Sequence, residues 1–357
     1  MRIFVFVFLG ALALTVISTP LFRRLATWLG FVDAPNARKL HQQPMPLMGG
    51  LALLLGAFVA SLLVLSTLPV RIDTPRVIGT LAASVIVALV GLADDRLQLP
   101  PWVKLAGQFV GFLVLFQAGI RIQLGLPEWL NVTLTFLWLA GVSNAVNFLD
   151  NMDGLSAGVS AVAASFFLLL ATINNQFLVA ALAAGLLGAC LGFLRYNFKP
   201  ANIFMGDAGA LFLGYFLAIL GIQLRFPGQP LSVTWMIPVL ILGLPIFDTV
   251  LVLVSRLRRR VNPFTTAGKD HLSHRLVRMG FGQREAVLAS YLLAAAFGML
   301  ALFLTEADVT EAYAISGLTA FTALYALWRL EWRQPRASTG VADDVPPAVV
   351  PDKQLPS

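Results

Sequence analysis

Apolar residues run through this chain in blocks longer than a soluble core needs. A block of about 17–23 such residues can cross a hydrocarbon layer as a helix. Roughly eleven can be marked, at 3–19, 47–68, 77–93, 103–120, 130–147, 155–173, 178–194, 208–224, 233–254, 286–305 and 312–328. The pattern predicts an all-α fold, a polytopic membrane helical bundle of about eleven transmembrane helices. The polar stretches between the blocks are distributed unevenly. Counting gaps from the first, the odd gaps and their edges hold Arg38–His41, Asp94-Asp95, Asn144 through Asp153, Asp207 and the Asp270–Arg275 cluster. The even gaps hold little besides turns, so parity puts the candidate chemistry on one membrane face.

Charge says which face. Of 25 Lys and Arg, 20 lie in or beside odd gaps or in the C-terminal tail, against four (Arg71, Arg76, Arg121, Arg225) in even gaps, with Arg2 ahead of the first block. Loops rich in Lys and Arg stay cytoplasmic, which predicts a cytoplasmic active face, the N-terminus outside and the C-terminus inside. The net charge of +7 follows from this bias, and anionic headgroups account for it without nucleic acid. The single cysteine, Cys190, excludes an internal disulfide and a thiolate metal cluster. Phe22-Arg23-Arg24 directly after the first block reads as a retained anchor rather than a cleaved leader. Loops of about thirty residues at most leave no room for a separate soluble catalytic domain. Residues 1–333 are therefore expected to be one polytopic unit, and the Pro-rich 334–357 a disordered tail.

Asp94 and Asp95 close the third block in GLADDRLQLPPWVKLAGQ. They could be mere membrane-edge acids. Against that, adjacent carboxylates repel and a helix C-terminus disfavours anions. Neighbouring negative charge raises a carboxyl pKa toward base strength, and a divalent cation lowers it again. Adjacent helical residues point about 100° apart, so one acid can act while the other orients a lysine such as Lys104. In SNAVNFLDNMDGLSAG, Asn144 and Asn147 share a helix face, and Asp150 and Asp153 follow. Such polar groups between apolar spans are costly unless bound to something; they suit a sugar, a uracil edge or a hard cation. Asp207, in NIFMGDAGALFLG, sits at the start of an apolar helix between glycines. It is either a helix cap or part of an anion site. Lys269–Arg275 holds His271 and His274, and Asp33–His41 ends in Arg38-Lys39-Leu40-His41. Mixed His, Arg and Lys suits a diphosphate as well as plain inside charge. The oxygen-rich remainder favours Mg²⁺ or Mn²⁺ over zinc. Asp248, inside the ninth block, is a functional carboxylate or a packing partner.

From Asp33 to Arg275 the order and spacing of these clusters resemble the polyprenyl-phosphate N-acetylhexosamine-1-phosphate transferases, and NAVNFLDNMDGL with FMGDAG is a specific pair of motifs. The resemblance implies that Asp94 and Asp95 are catalytic or bind the lipid phosphate, and that Asn147 and Asp207 bind Mg²⁺. It further implies that Lys104 contacts phosphate, that Asp153 contacts the nucleotide, and that His271, His274 and Arg275 bind diphosphate. Asn144, Asp150, Arg38, Lys39 and His41 complete the expected substrate contacts. Leu97 and Gln98 stand where many relatives carry an acid or lysine, and Ser273 where many carry histidine; neither touches the metal ligands. The Asp33–His41 stretch resembles the N-acetylglucosamine branch rather than the muramoyl-pentapeptide branch, which stays as the alternative.

The implied reaction is attack by an inner-leaflet polyprenyl phosphate on the β-phosphorus of a UDP-N-acetylhexosamine, with release of UMP. It would place the protein in a bacterial plasma membrane, with a homodimer allowed. A secondary transporter, the rival class, would show mid-bilayer charges and two-half symmetry; here the acids gather at span ends.

Overall fold

A computed structural model describes residues 2–33, 44–67, 73–263 and 268–333. The loop holding Arg38, Lys39 and His41, and the predicted tail, lie outside them. Fourteen α-helices are described: α1 (Arg2–Leu29), α2 (Gly49–Thr67), α3 (Thr74–Leu97), α4 (Pro101–Gln117), α5 (Glu128–Leu149), α6 (Leu155–Ile173), α7 (Phe177–Asn197), α8 (Gly206–Gln223), α9 (Leu231–Thr234), α10 (Met236–Ile241), α11 (Gly243–Arg258), α12 (Leu272–Arg278), α13 (Gln283–Leu304) and α14 (Val309–Trp328). A π-helical turn, Arg329–Arg333, follows α14. Two-residue strands β1 (Val32–Asp33) and β2 (Met45–Pro46) pair antiparallel, Val32 opposite Pro46. Helices suit these blocks because every backbone group in lipid must be paired within the chain.

Each predicted apolar block falls on a helix. Seven helices are individually long and apolar enough to cross a membrane, or eight with the bent α9–α11 assembly. The chain is thus an all-α polytopic membrane protein. The ninth block is not one straight span. Leu231–Ile241 and Gly243–Arg258 meet at 74°, where Gly243 and Pro245 interrupt the apolar run. Proline lacks the N–H that would continue the ladder, and kinks concentrate at such residues.

The bundle is built around α8, whose sixteen residues Gly206, Ala208–Ile222 are all buried. A helix apolar on all sides belongs inside, and α3, α5 and α2 pack around it. Close approach at its first turn depends on Gly91 of α3: a Cβ there would come within 2.6 Å of Ala208 Cα. Connections that are odd in sequence meet at one end of the bundle. Arg96 of α3 donates to the Leu29 carbonyl at 2.9 Å, Phe204 N–H to the Pro46 carbonyl at 2.9 Å, and Arg284 to the Lys199 carbonyl at 2.7 Å. The opposite end is closed by contacts among even connections, such as Arg121–Glu128 at 2.8 Å and Gln229 to Thr305 at 2.9 Å.

Candidate active site

Three connections bring the acids together. At the end of α3, Asp94 Oδ2 lies 2.9 Å from Lys104 Nζ on the first turn of α4. The same ammonium lies 3.0 Å from Asp207 Oδ2 on the first turn of α8. The tight turn between α3 and α4 makes this possible: Gln98 caps α3 in the left-handed conformation (φ 49°), Pro101 opens α4, and Leu99 N–H donates to Asp94 Oδ1 at 2.6 Å. Proline at a helix start wastes no hydrogen bond. Asp94 thus escapes the unfavourable end of its own helix dipole by facing a cation.

Asp95 turns the other way. Its Oδ1 accepts the Asp207 N–H at 2.7 Å, and its Oδ2 the Ala208 N–H at 3.2 Å. It caps α8 from another helix, at the end of the dipole that attracts a carboxylate. Gly206 permits this: its φ is +68°, and a Cβ would collide with the Asp95 carboxylate and lie 2.6 Å from the Leu47 carbonyl. The adjacent acids therefore divide as helical geometry requires, Asp94 toward Lys104 and Asp95 toward the backbone that carries Asp207.

Asn147, on the last turn of α5, lies beside the Asp207 carboxylate. Behind it a polar ladder ties α5 to α4 and α8. Asn144 donates to Gln108 Oε1 at 3.0 Å, and Ser143 to the Leu211 carbonyl at 2.9 Å; the Tyr215 hydroxyl donates to the Gln108 carbonyl at 3.2 Å. Gln108 was not singled out in the sequence, although a wholly buried amide inside an apolar block is the signal that could have found it. After α5 the chain breaks through Asp150–Gly154. Loss of hydration, with the charges of Asp207 and Asp153 nearby, pushes the Asp150 carboxyl up to about 7. Asp153 Oδ2 accepts the Ala201 N–H at 3.1 Å, with Lys199 Nζ at 3.8 Å.

The histidine segment joins the same loop. Ser273 donates to Asn151 Oδ1 at 2.6 Å. The rings of His271 and His274 lie 6.3 Å apart. Burial, then the neighbouring His271 and Lys269, hold His274 down to about 4, leaving it neutral near pH 7. Arg275 is buried; it donates to Glu331 at 2.7 Å and to the Leu330 and Asp270 carbonyls at 2.6 and 2.9 Å. Its charge is matched by the turn after α14, a partner with no signal in the local sequence. Asp270 meets Arg259 at 2.6 Å and Arg256 at 3.4 Å. Arg38, Lys39 and His41 are outside the described residues, but β2, which ends their loop, borders the Phe204 backbone two residues before Gly206.

Among the described residues no three His, Cys, Asp or Glu side chains converge as a metal cage. The donor set still fits Mg²⁺, which keeps waters and takes one or two protein oxygens plus substrate phosphates. Asp207 and Asn147 supply hard oxygens, and the carboxylates of Asp94 and Asp207 already draw one cation, Lys104, between them.

Fold and site define a helical membrane protein whose acids, lysine and amides gather at one end of the bundle. The glycosyl transferase family 4 profile matches residues 77–225, which hold Asp94, Lys104, Asn147 and Asp207. Over 314 residues, 85% of each chain, the protein is 36% identical to a probable undecaprenyl-phosphate N-acetylglucosaminyl 1-phosphate transferase of Bacillus subtilis (strain 168). It is 33% identical to a decaprenyl-phosphate N-acetylglucosaminephosphotransferase of Mycobacterium tuberculosis (strain H37Rv), over 80% of this chain and 78% of the other. A phospho-N-acetylmuramoyl-pentapeptide-transferase of Halalkalibacterium halodurans is 31% identical over 85% of this chain and 98% of its own. The chain belongs to glycosyl transferase family 4.

Proposed function

We propose that the protein transfers N-acetylglucosamine 1-phosphate from UDP-N-acetylglucosamine to a polyprenyl phosphate such as undecaprenyl phosphate, beginning a cell-envelope glycan. The observation that carries this reading is the junction of Asp94, Lys104 and Asp207, drawn from two separate connections to one end of the bundle. A phosphate oxygen of the lipid attacks the β-phosphorus; the bond from that phosphorus to the α–β bridging oxygen breaks, and UMP leaves. Lys104 offers its ammonium to phosphate charge, and Asp94 holds that ammonium in place. Asp95 fixes the first turn of α8, so that Asp207 keeps its position opposite Lys104. Asp153, anchored to the 199–201 backbone, is offered to the nucleotide, with Asp150 and Asn144 near the sugar and His271 and His274 near the diphosphate. Mg²⁺, held by Asp207 and Asn147, would take up charge on the diphosphate oxygens. Activity is accordingly expected to require Mg²⁺ or Mn²⁺ and to vanish with EDTA.

The donor assignment favours UDP-N-acetylglucosamine over UDP-muramoyl-pentapeptide. Gripping a peptide requires positioned polar groups beyond the sugar, since selectivity of that kind comes from pairing them. The connections described here are already engaged with one another. With purified protein and a panel of UDP-sugars, the N-acetylglucosamine donor should be used and the muramoyl donor ignored. Efficient use of the muramoyl donor would overturn the branch and leave the reaction class standing.

We place the site end in the cytoplasm of a bacterium, with eleven crossings and residues 1–333 as one unit, on the 20-to-4 division of basic residues. The only native cysteine is fully buried, so single exposed cysteines report topology. Met279→Cys should react only from the cytoplasmic side and Glu306→Cys only from outside; reaction of both from one side contradicts this arrangement.

A further inference from the structure

The reaction as described leaves the most enclosed carboxylate among the described residues without a task. Asp248, the sixth residue of α11, lies just past the 74° bend and is 1% exposed. Both its oxygens serve the histidine segment. Oδ1 accepts the Leu272 N–H at 2.7 Å, at the first residue of α12. Oδ2 lies 2.7 Å from His271 Nδ1. A carboxylate so buried is costly unless charge and hydrogen bonds match it. Docking α12 would need only the backbone bond. The second contact does something more specific: an ionised carboxylate only accepts, so the ring nitrogen facing it must carry hydrogen. That fixes both the ring plane and the assignment of its two nitrogens. Nε2 is then the nitrogen left for a ligand, and to an anionic one it donates as Nε2–H. Among the described residues it has no hydrogen-bond partner, and it is not one of the enclosed unpaired atoms.

We propose that Asp248 is a positioning residue: by accepting from Nδ1–H of His271 it orients the ring so that Nε2–H donates to the diphosphate of the sugar nucleotide. The inference rests on the transferase reading for its ligand, and on the Asp248–His271 geometry for its mechanism. The bend gives it a structural origin, because a straight helix through 233–254 would carry Asp248 along a different line from the one that meets α12.

A double-mutant cycle with Asp248→Asn and His271→Gln tests it. The asparagine is nearly isosteric, still accepts the Leu272 N–H, and turns an amide donor toward Nδ1. Each single variant should lower kcat/KM for UDP-N-acetylglucosamine by roughly 10–100-fold, the range found for groups that orient a functional imidazole. If Asp248 acts through His271, the double variant falls no further than the worse single one. Multiplied losses would make Asp248 an independent structural residue and overturn the proposal. Selective ¹⁵N-histidine NMR in detergent supplies a reading that does not depend on turnover. A protonated Nδ1 signal, assigned by its loss in His271→Gln, should be present in the unaltered protein and change in Asp248→Asn. Its persistence unchanged in Asp248→Asn also overturns the proposal. If that signature behaves as expected while the unaltered protein uses no UDP-sugar, the transferase reading fails and the positioning stands.

Discussion

Asp207→Ala should lower turnover by at least roughly two orders of magnitude while leaving the fold intact. The size follows from what the carboxylate does. It is one of two groups opposing the Lys104 ammonium, at 3.0 Å, and Asn147 stands beside it on α5. Charge stabilisation at a phosphoryl centre is worth several kcal/mol when a metal-binding oxygen is present, and each 1.36 kcal/mol is about tenfold in rate. The fold should survive because the cap of α8 is not this side chain: Asp95 takes the Asp207 and Ala208 N–H groups, and the alanine keeps both. Turnover measured beside thermal unfolding in detergent checks it. Near-normal activity in folded Asp207→Ala protein would reduce the residue to the first turn of a helix.

The second large effect separates two neighbours. Asp94→Asn removes the ion pair to Lys104 and little else; it should lower kcat strongly with small changes in KM and melting temperature. Asp95→Asn loses charge at the N-terminus of the central helix and one of two backbone acceptors. Capping losses cost typically about 1 kcal/mol, and here the cap also sets where Asp207 stands. That variant should lose rate, affinity for Mg²⁺ and thermal stability together. Steady-state kinetics read with melting curves distinguish the two patterns. Mild losses of the same kind in both would return the pair to ordinary membrane-edge acids.

Much of this arrangement can be read from the sequence because lipid imposes simple rules. A long apolar block must be a helix, and the parity of connections then fixes which polar stretches share an end. The meeting of Asp94, Lys104, Asn147 and Asp207 follows that logic. What stays hidden depends on direction and on distant partners. The bend at Leu242–Pro245 lies inside a stretch that still averages as one apolar block, and hydropathy records composition without orientation. Asp95 looks like the twin of Asp94 until α8, 112 residues on, supplies the N–H groups that it caps. Arg275 has the chemistry of a diphosphate ligand, yet its guanidinium is taken by Glu331, 56 residues away. Asp248 is conspicuous as an acid within a span, but only the folded chain pairs it with His271.

The central claim is transfer of a sugar 1-phosphate to a lipid phosphate, and the fate of the β-phosphorus tests it most directly. Purified protein, undecaprenyl phosphate, Mg²⁺ and UDP-N-acetylglucosamine labelled with ³²P at the β position and ¹⁴C in the sugar should be incubated and extracted with organic solvent. Both labels should enter the lipid phase in equal amounts, with one UMP formed for each. Carbon entering the lipid without the phosphorus, accompanied by UDP, would mean transfer of the sugar alone. Either that result or two labels that stay in water would contradict the account.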